Sequence, residues 1–99
     1  MNNRMIDLAQ KEIIQDRILE ALEQSLSEGM SRQVIRALLK HMGAEEERTD
    51  EALWYLESKG WIRKKDYSNE RQGIIRMVFF ITDKGIDHLD GKDEEQSDG

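Results

Sequence analysis

The chain has 99 residues, a formal net charge of −6, and neither cysteine nor proline. That length suits one domain with a single core. The missing cysteines exclude a disulfide framework, a thiolate zinc site and a cysteine nucleophile. No apolar leader opens the sequence and no apolar run approaches the roughly eighteen residues that span a bilayer, so a cytoplasmic protein without membrane contact is expected.

The charge is placed unevenly, and the placement says more than the total. Residues 1–30 carry −3, residues 31–43 carry +3, and residues 44–60 carry −4. Residues 61–82 carry +3 and residues 83–99 carry −5, of which the last nine supply −3. Two basic blocks therefore alternate with acidic ones.

Ile14, Ile18, Ala21, Leu22 and Leu26 recur at i, i+4, i+7, i+8 and i+12, the spacing of one helix face. A helix is expected up to about residue 28, stopped by Gly29. Met5, Ile6, Leu8, Ala9 and Ile13 form a second apolar group upstream, within residues 1–13, which either extends that helix or makes a short one of its own. A continuous helix would be about 33 Å long, more than one small core needs. The surplus points either to a partner, commonly a second copy, or to a segment that folds back on its own domain.

Ser31 is placed to cap the next helix, with Met30 before it and Ile35 four positions after it as a hydrophobic staple. Val34, Ile35, Leu38, Leu39 and Met42 are expected to face the core, and Gly43 to end the helix. Arg32, Arg36 and Lys40, at i, i+4 and i+8, make a cationic stripe with no acid inside the segment. It either meets phosphates or pairs with Glu45, Glu46 and Glu47.

The third helix, beginning near those glutamates, directs Thr49, Ala52, Leu53 and Leu56 inward and leaves Glu47, Arg48, Asp50, Glu51 and Trp54 outward. It stops at Gly60. Trp61–Asp66 and Ile74–Thr82 read as two strands joined by a loop over Tyr67–Gly73. Strand alternation sends Ile75, Met77, Phe79 and Ile81 inward and Ile74, Arg76, Val78 and Phe80 outward. Trp61, Val78 and Phe80 would then form an exposed apolar patch of the kind that marks an interface, unless Met5, Ile6 and Leu8 cover it. Arg63, Lys64, Lys65, Arg71 and Arg76 outnumber Asp66 and Glu70 in the hairpin. Thr82 caps a short last helix over Asp83–Asp90, with Ile86 and Leu89 on its core face. Residues 91–99 hold no apolar side chain and are expected to be a disordered acidic tail, which leaves residues 1–90 as one domain.

No constellation of nucleophile and base is present, so no enzyme, catalytic residue, metal or cofactor is expected. His41 and His88 have no paired ligand at metal spacing, and phosphate-binding glycine loops are missing.

The segments LWYLESKGWIRKK and FFITDKG, thirteen residues apart, resemble the recognition-helix-and-wing signature of winged helix-turn-helix proteins of the MarR, PadR and ArsR kind. In size and layout, including the closing ITDKGIDHLDGK, the chain is similar to small winged-helix proteins of Mu-like prophages. The resemblance implies a mostly helical α+β fold: three core helices, a two-stranded β-hairpin wing and a short C-terminal helix. It implies a homodimeric transcriptional regulator that binds double-stranded DNA through Arg32, Arg36 and Lys40 near the backbone, Arg48 on the third helix, and Arg63, Lys64, Lys65 and Arg71 in the wing. The metal sensing of some ArsR-type members does not carry over, because their cysteines are absent here. The acidic third helix argues against an ordinary groove reader. The alternative is a winged-helix module that does not bind DNA but meets a protein partner or itself, with Met5, Ile6, Leu8, Trp61, Val78 and Phe80 as interface residues.

Overall fold

Helix α1 (Asn3–Gln24) runs without a break, so the two apolar groups read at the N-terminus belong to one helix of 22 residues. The computed structural model describes residues 3–91, with side chains from Ile6 onward, so the expected acidic tail beyond Gly91 and the Met5 side chain lie outside the described residues. Only the second half of α1 reaches the core: Ile14, Ile18 and Leu22 are buried as their spacing predicts, together with Leu19. Leu26 does not follow them. The helix ends before it, where the Ser25 hydroxyl bonds back to the Ala21 carbonyl, and Leu26 is left exposed.

Gly29 is expected to stop the helix, but the helix ends five residues earlier, at Gln24; the role of Gly29 is to bring the following turn onto the sheet. It sits at φ +68°, and a Cβ there would lie 2.6 Å from the Phe79 carbonyl oxygen and 2.8 Å from the side chains of Val78 and Phe80. The turn can therefore press directly against the sheet only because no side chain intervenes. Immediately after it, β1 (Met30–Ser31) pairs antiparallel with β3 (Met77–Ile81), setting Met30 opposite Phe79 and Ser31 opposite Val78. On its other side β3 pairs with β2 (Ile62–Asp66), from Ile62 opposite Ile81 to Asp66 opposite Met77. The sheet thus has three strands in the order β1-β3-β2, where two were expected.

Ser31 also caps α2 (Arg32–His41), its Oγ accepting the Val34 N–H at 3.3 Å. Ile35 and Leu39 are buried, but Val34, Leu38 and Met42 are exposed. The apolar arc of α2 is wider than the core it faces. Gly43, at φ +94°, closes the helix: its N–H bonds the Lys40 carbonyl and that of Ala44 bonds the Leu39 carbonyl. Helix α3 (Glu46–Ser58) then buries Thr49, Ala52, Leu53 and Leu56, as its periodicity predicts. Glu46 and Glu47 sit in its first turn, where the helix dipole favours them. The same pair of bonds recurs at its end, from Gly60 to Glu57 and from Trp61 to Leu56, and turns the chain into β2.

β3 starts at Met77, later than expected. Before it the chain forms the tip of the hairpin, with a 3-10 turn (Glu70–Gln72), Gly73 at φ +65° and an isolated bridge between Asn69 and Ile74. After β3, Thr82 caps α4 (Asp83–Leu89), and its Oγ1 both accepts from the Gly85 N–H at 3.0 Å and donates to the Gly60 carbonyl at 2.7 Å. Ile86 and Leu89 pack on the core from α4. The whole is a mostly helical α+β fold, four α-helices and one antiparallel sheet among the described residues. None of these helices is long and apolar enough to cross a membrane.

The facing expected along residues 74–82 fails at three positions. Ile75, assigned inward, is 82% exposed, while Val78 and Phe80, assigned outward, are only 4% and 8% exposed. The alternation itself holds within β3, since Phe79 and Ile81 face the main core. What differs is that the opposite face is also covered, by the Gly29 turn. Trp61 is likewise half-buried, stacked on His88 with ring centroids 3.6 Å apart and edge-on to Tyr55. Trp61, Val78 and Phe80 therefore form no exposed apolar patch. Nor do Ile6 and Leu8 cover them, since both are themselves exposed.

Candidate nucleic-acid interface

The eight cations expected to meet DNA divide into three groups once their neighbours are known. In the first, a carboxylate of the same chain already takes the charge. Arg36 donates twice to Asp50, from Nε to Oδ1 at 3.0 Å and from a terminal nitrogen to Oδ2 at 2.6 Å. This two-pronged bond raises the Arg36 pKa, so the guanidinium keeps its charge but spends its donors. Arg48 binds Asp7 at 2.5 Å, and Lys11 approaches the other oxygen of the same carboxylate at 3.4 Å. The Arg48 bond holds the Asp7 carboxyl below the ordinary carboxylate range. Lys64 lies 3.6 Å from Glu57.

In the second group the cation rests on an aromatic ring, which leaves its charge uncompensated. The guanidinium of Arg32 lies 5.5 Å from the Phe79 ring centre, that of Arg63 4.5 Å from Phe80, and the Lys65 ammonium 5.3 Å from Tyr67. Arg32 is half-buried in this position, with its Nε shut off from solvent, so it offers the least to an outside ligand. Arg63 and Lys65 are exposed. The third group is Lys40 and Arg71, which are exposed and have no carboxylate partner among the described residues. Arg76, in the hairpin with Arg71, is exposed in the same way.

The stripe on α2 is thus not the continuous band that its spacing suggests. Its middle member is matched by Asp50 on α3 rather than by Glu45, Glu46 or Glu47, and only Lys40 presents a free charge. The outward face of α3 is mostly acidic: Glu47 and Glu51 are exposed, Asp50 is taken by Arg36, and Trp54 stands 70% exposed among them. Between α3 and the sheet lies a small cleft of about 120 Å³ that brings Asp50, Leu53 and Trp54 against Arg32, Lys64 and Phe79. The exposed cations gather instead on the hairpin, at Arg63, Lys65, Arg71 and Arg76.

The tip that carries Arg71 is shaped by its own polar residues. Asp66 Oδ1 accepts the Ser68 N–H at 2.8 Å, Ser68 Oγ accepts the Arg76 N–H at 3.0 Å, and Asn69 Oδ1 accepts the Gln72 N–H at 3.3 Å. The first two bonds occupy backbone donors of the tip, and the third reinforces the Gln72 N–H, which also donates to the Asn69 carbonyl at 3.2 Å. Reading the sequence did not find Asp7, Asp50 or Glu57 as the groups that neutralise cations. The Arg36–Asp50 pair spans 14 residues and two helices, and no local spacing signals it.

The chain matches no family model, no curated protein and no solved structure. Among the described residues no group of three or more histidine, aspartate or glutamate side chains is arranged to hold a metal ion.

Proposed function

We propose that the chain is a winged-helix DNA-binding protein, of the transcription-regulator kind, that engages the duplex chiefly through its hairpin wing. The observation that carries this reading is the set of four exposed cations on the hairpin, Arg63, Lys65, Arg71 and Arg76, without a carboxylate partner among the described residues. Cations left unmatched on a projecting hairpin suit phosphates, whereas the self-paired cations of α2 and α3 do not. Lys40 is the remaining contribution of α2. Helix α3, with Glu47 and Glu51 outward, supplies repulsion rather than base reading, so binding is driven by the backbone and strongly dependent on salt.

The other reading, a module that binds protein through Trp61, Val78 and Phe80, loses its surface because Val78 and Phe80 are buried and Trp61 is packed against His88. Fluorescence anisotropy on a mixed-sequence duplex tests the DNA reading. Four phosphate contacts predict a roughly 100-fold loss of affinity between about 50 and 200 mM salt. Lys65→Glu, Arg71→Glu and Arg76→Glu together should abolish binding with an unchanged circular dichroism spectrum. Binding that survives this triple reversal would refute the assignment to the wing.

A further inference from the structure

The tip of the hairpin carries one side chain that the fold does not use. Ile75 is 82% exposed, more than any other large apolar side chain among the described residues. It stands on a fixed frame. On one side of it Ile74 exchanges two backbone bonds with Asn69, at 2.8 and 2.9 Å. On the other side the Arg76 carbonyl accepts the Tyr67 N–H at 2.8 Å, and the Arg76 N–H donates to Ser68 Oγ at 3.0 Å. With both neighbours pinned, little backbone freedom remains to be lost when Ile75 meets a ligand. The exposed cations Arg71 and Arg76 share the same tip.

We propose that Ile75 is a wedge that enters a base step of duplex DNA from the minor groove and parts its stacked bases, while the hairpin cations hold the phosphates around it. This role rests on the wing reading above and gives that reading a source of sequence preference. An aliphatic side chain beside arginines on a projecting arm is the combination with which proteins unstack and kink DNA from the minor groove. The cations grip the backbone, and the aliphatic group takes the place of one stacking contact. Helix α3, acidic on its outward face, reads no base edges. Selectivity then falls on the energy of deformation, which is lowest at pyrimidine–purine steps such as TA. A lipid surface suits the tip less well. Membrane binding grows with the apolar area inserted, and beside Ile75 the other apolar groups of the tip, Ile74 and Tyr67, are only 46% and 48% exposed.

The test mixes the full chain, at about 50 mM salt, with a duplex of about 25 base pairs whose single pyrimidine–purine step is a central TA. The adenine of that step is replaced by 2-aminopurine, which brightens when it leaves the stack, and a dye at one end reports binding by anisotropy. Wild type should bind and brighten the base roughly twofold or more. Ile75→Ser, with an unchanged circular dichroism spectrum, should bind within about tenfold of wild type, because phosphate contacts carry most of the affinity, and should leave the base dark. Ile75→Leu, still an aliphatic wedge, should keep the signal. A wild type that binds without brightening the base, or an Ile75→Ser variant that brightens it as wild type does, overturns the wedge and leaves the wing reading standing. A wild type that does not bind overturns both. Binding to vesicles of phosphatidylserine and phosphatidylcholine that is lost in Ile75→Ser, with no brightening on DNA, assigns the tip to a lipid surface and overturns the wedge as well.

Discussion

The base and the tip of the hairpin are a few residues apart in sequence but are held by different physics. At the base, Phe79 and Ile81 enter the main core while Val78 and Phe80 lie under the Gly29 turn, so both faces of β3 are dry. At the tip, from Asp66 to Arg76, every residue but Ser68 is exposed, and the fold rests on side-chain bonds to nearby backbone donors. The base fixes where the hairpin points. The tip is free to change its side chains without disturbing the core, and that freedom lets it display cations that the helices cannot. On α2 and α3, Arg36 and Arg48 stand within reach of Asp50 and Asp7 and are neutralised, as Lys64 on β2 is by Glu57, while Arg32 is half-buried on Phe79 and Lys40 alone stays exposed and unmatched.

If this division is real, substitutions at the base should be expensive and those at the tip cheap. Gly29→Ala should have the largest effect. It combines a left-handed backbone, costing a side chain about 1–2 kcal/mol, with overpacking against the Phe79 carbonyl, Val78 and Phe80, worth about 1–3 kcal/mol more. A loss of about 3 kcal/mol or more in urea unfolding is expected. A loss within about 0.5 kcal/mol, the range of ordinary surface changes, would mean that the turn does not press on the sheet. Thr82→Ala comes next, because it deletes both a helix cap on Gly85 and a bond to the Gly60 carbonyl, together about 2 kcal/mol. Thr82→Ser keeps the hydroxyl and should recover most of that loss in the same assay.

The same contrast explains what the sequence discloses. Periodicity finds the buried faces of α3 and of the second half of α1, and the glycines after α2 and α3 mark their ends, because these features are local. Ser31 and Thr82 are legible as caps for the same reason. The strand β1 is not legible, since two residues have no period, and its existence depends on Gly29 fitting against a strand about fifty positions away. Without that cover Val78 and Phe80 look like an exposed patch. Val34, Leu38 and Met42 look like core because an apolar arc is read as if a partner element must face all of it. The fate of each cation also depends on acids brought in by tertiary folding, which leaves the candidate site less legible than the helices that carry it.

At the tip, Ile75→Ser should be nearly silent, within about 0.5 kcal/mol, since its side chain is already 82% exposed. The finest test of the contrast is acid. The Asp66 carboxyl is held below the ordinary aspartate value of 3.8, first by the Ser68 hydroxyl and then by the Ser68 backbone N–H. A depressed pKa means that the folded turn binds fewer protons than the open one, so its contribution is complete above 3.8 and is lost as pH falls through the folded-state value. In an NMR titration the Ser68 amide should therefore shift with a midpoint under 3.8, and Asp66→Asn should abolish the shift. Amides of Val78 and Phe79, bonded within the sheet, should stay unmoved across that step, because the base does not depend on this carboxylate. If they titrate together with Ser68, base and tip open as one unit, and the division between a fixed base and a locally held tip fails.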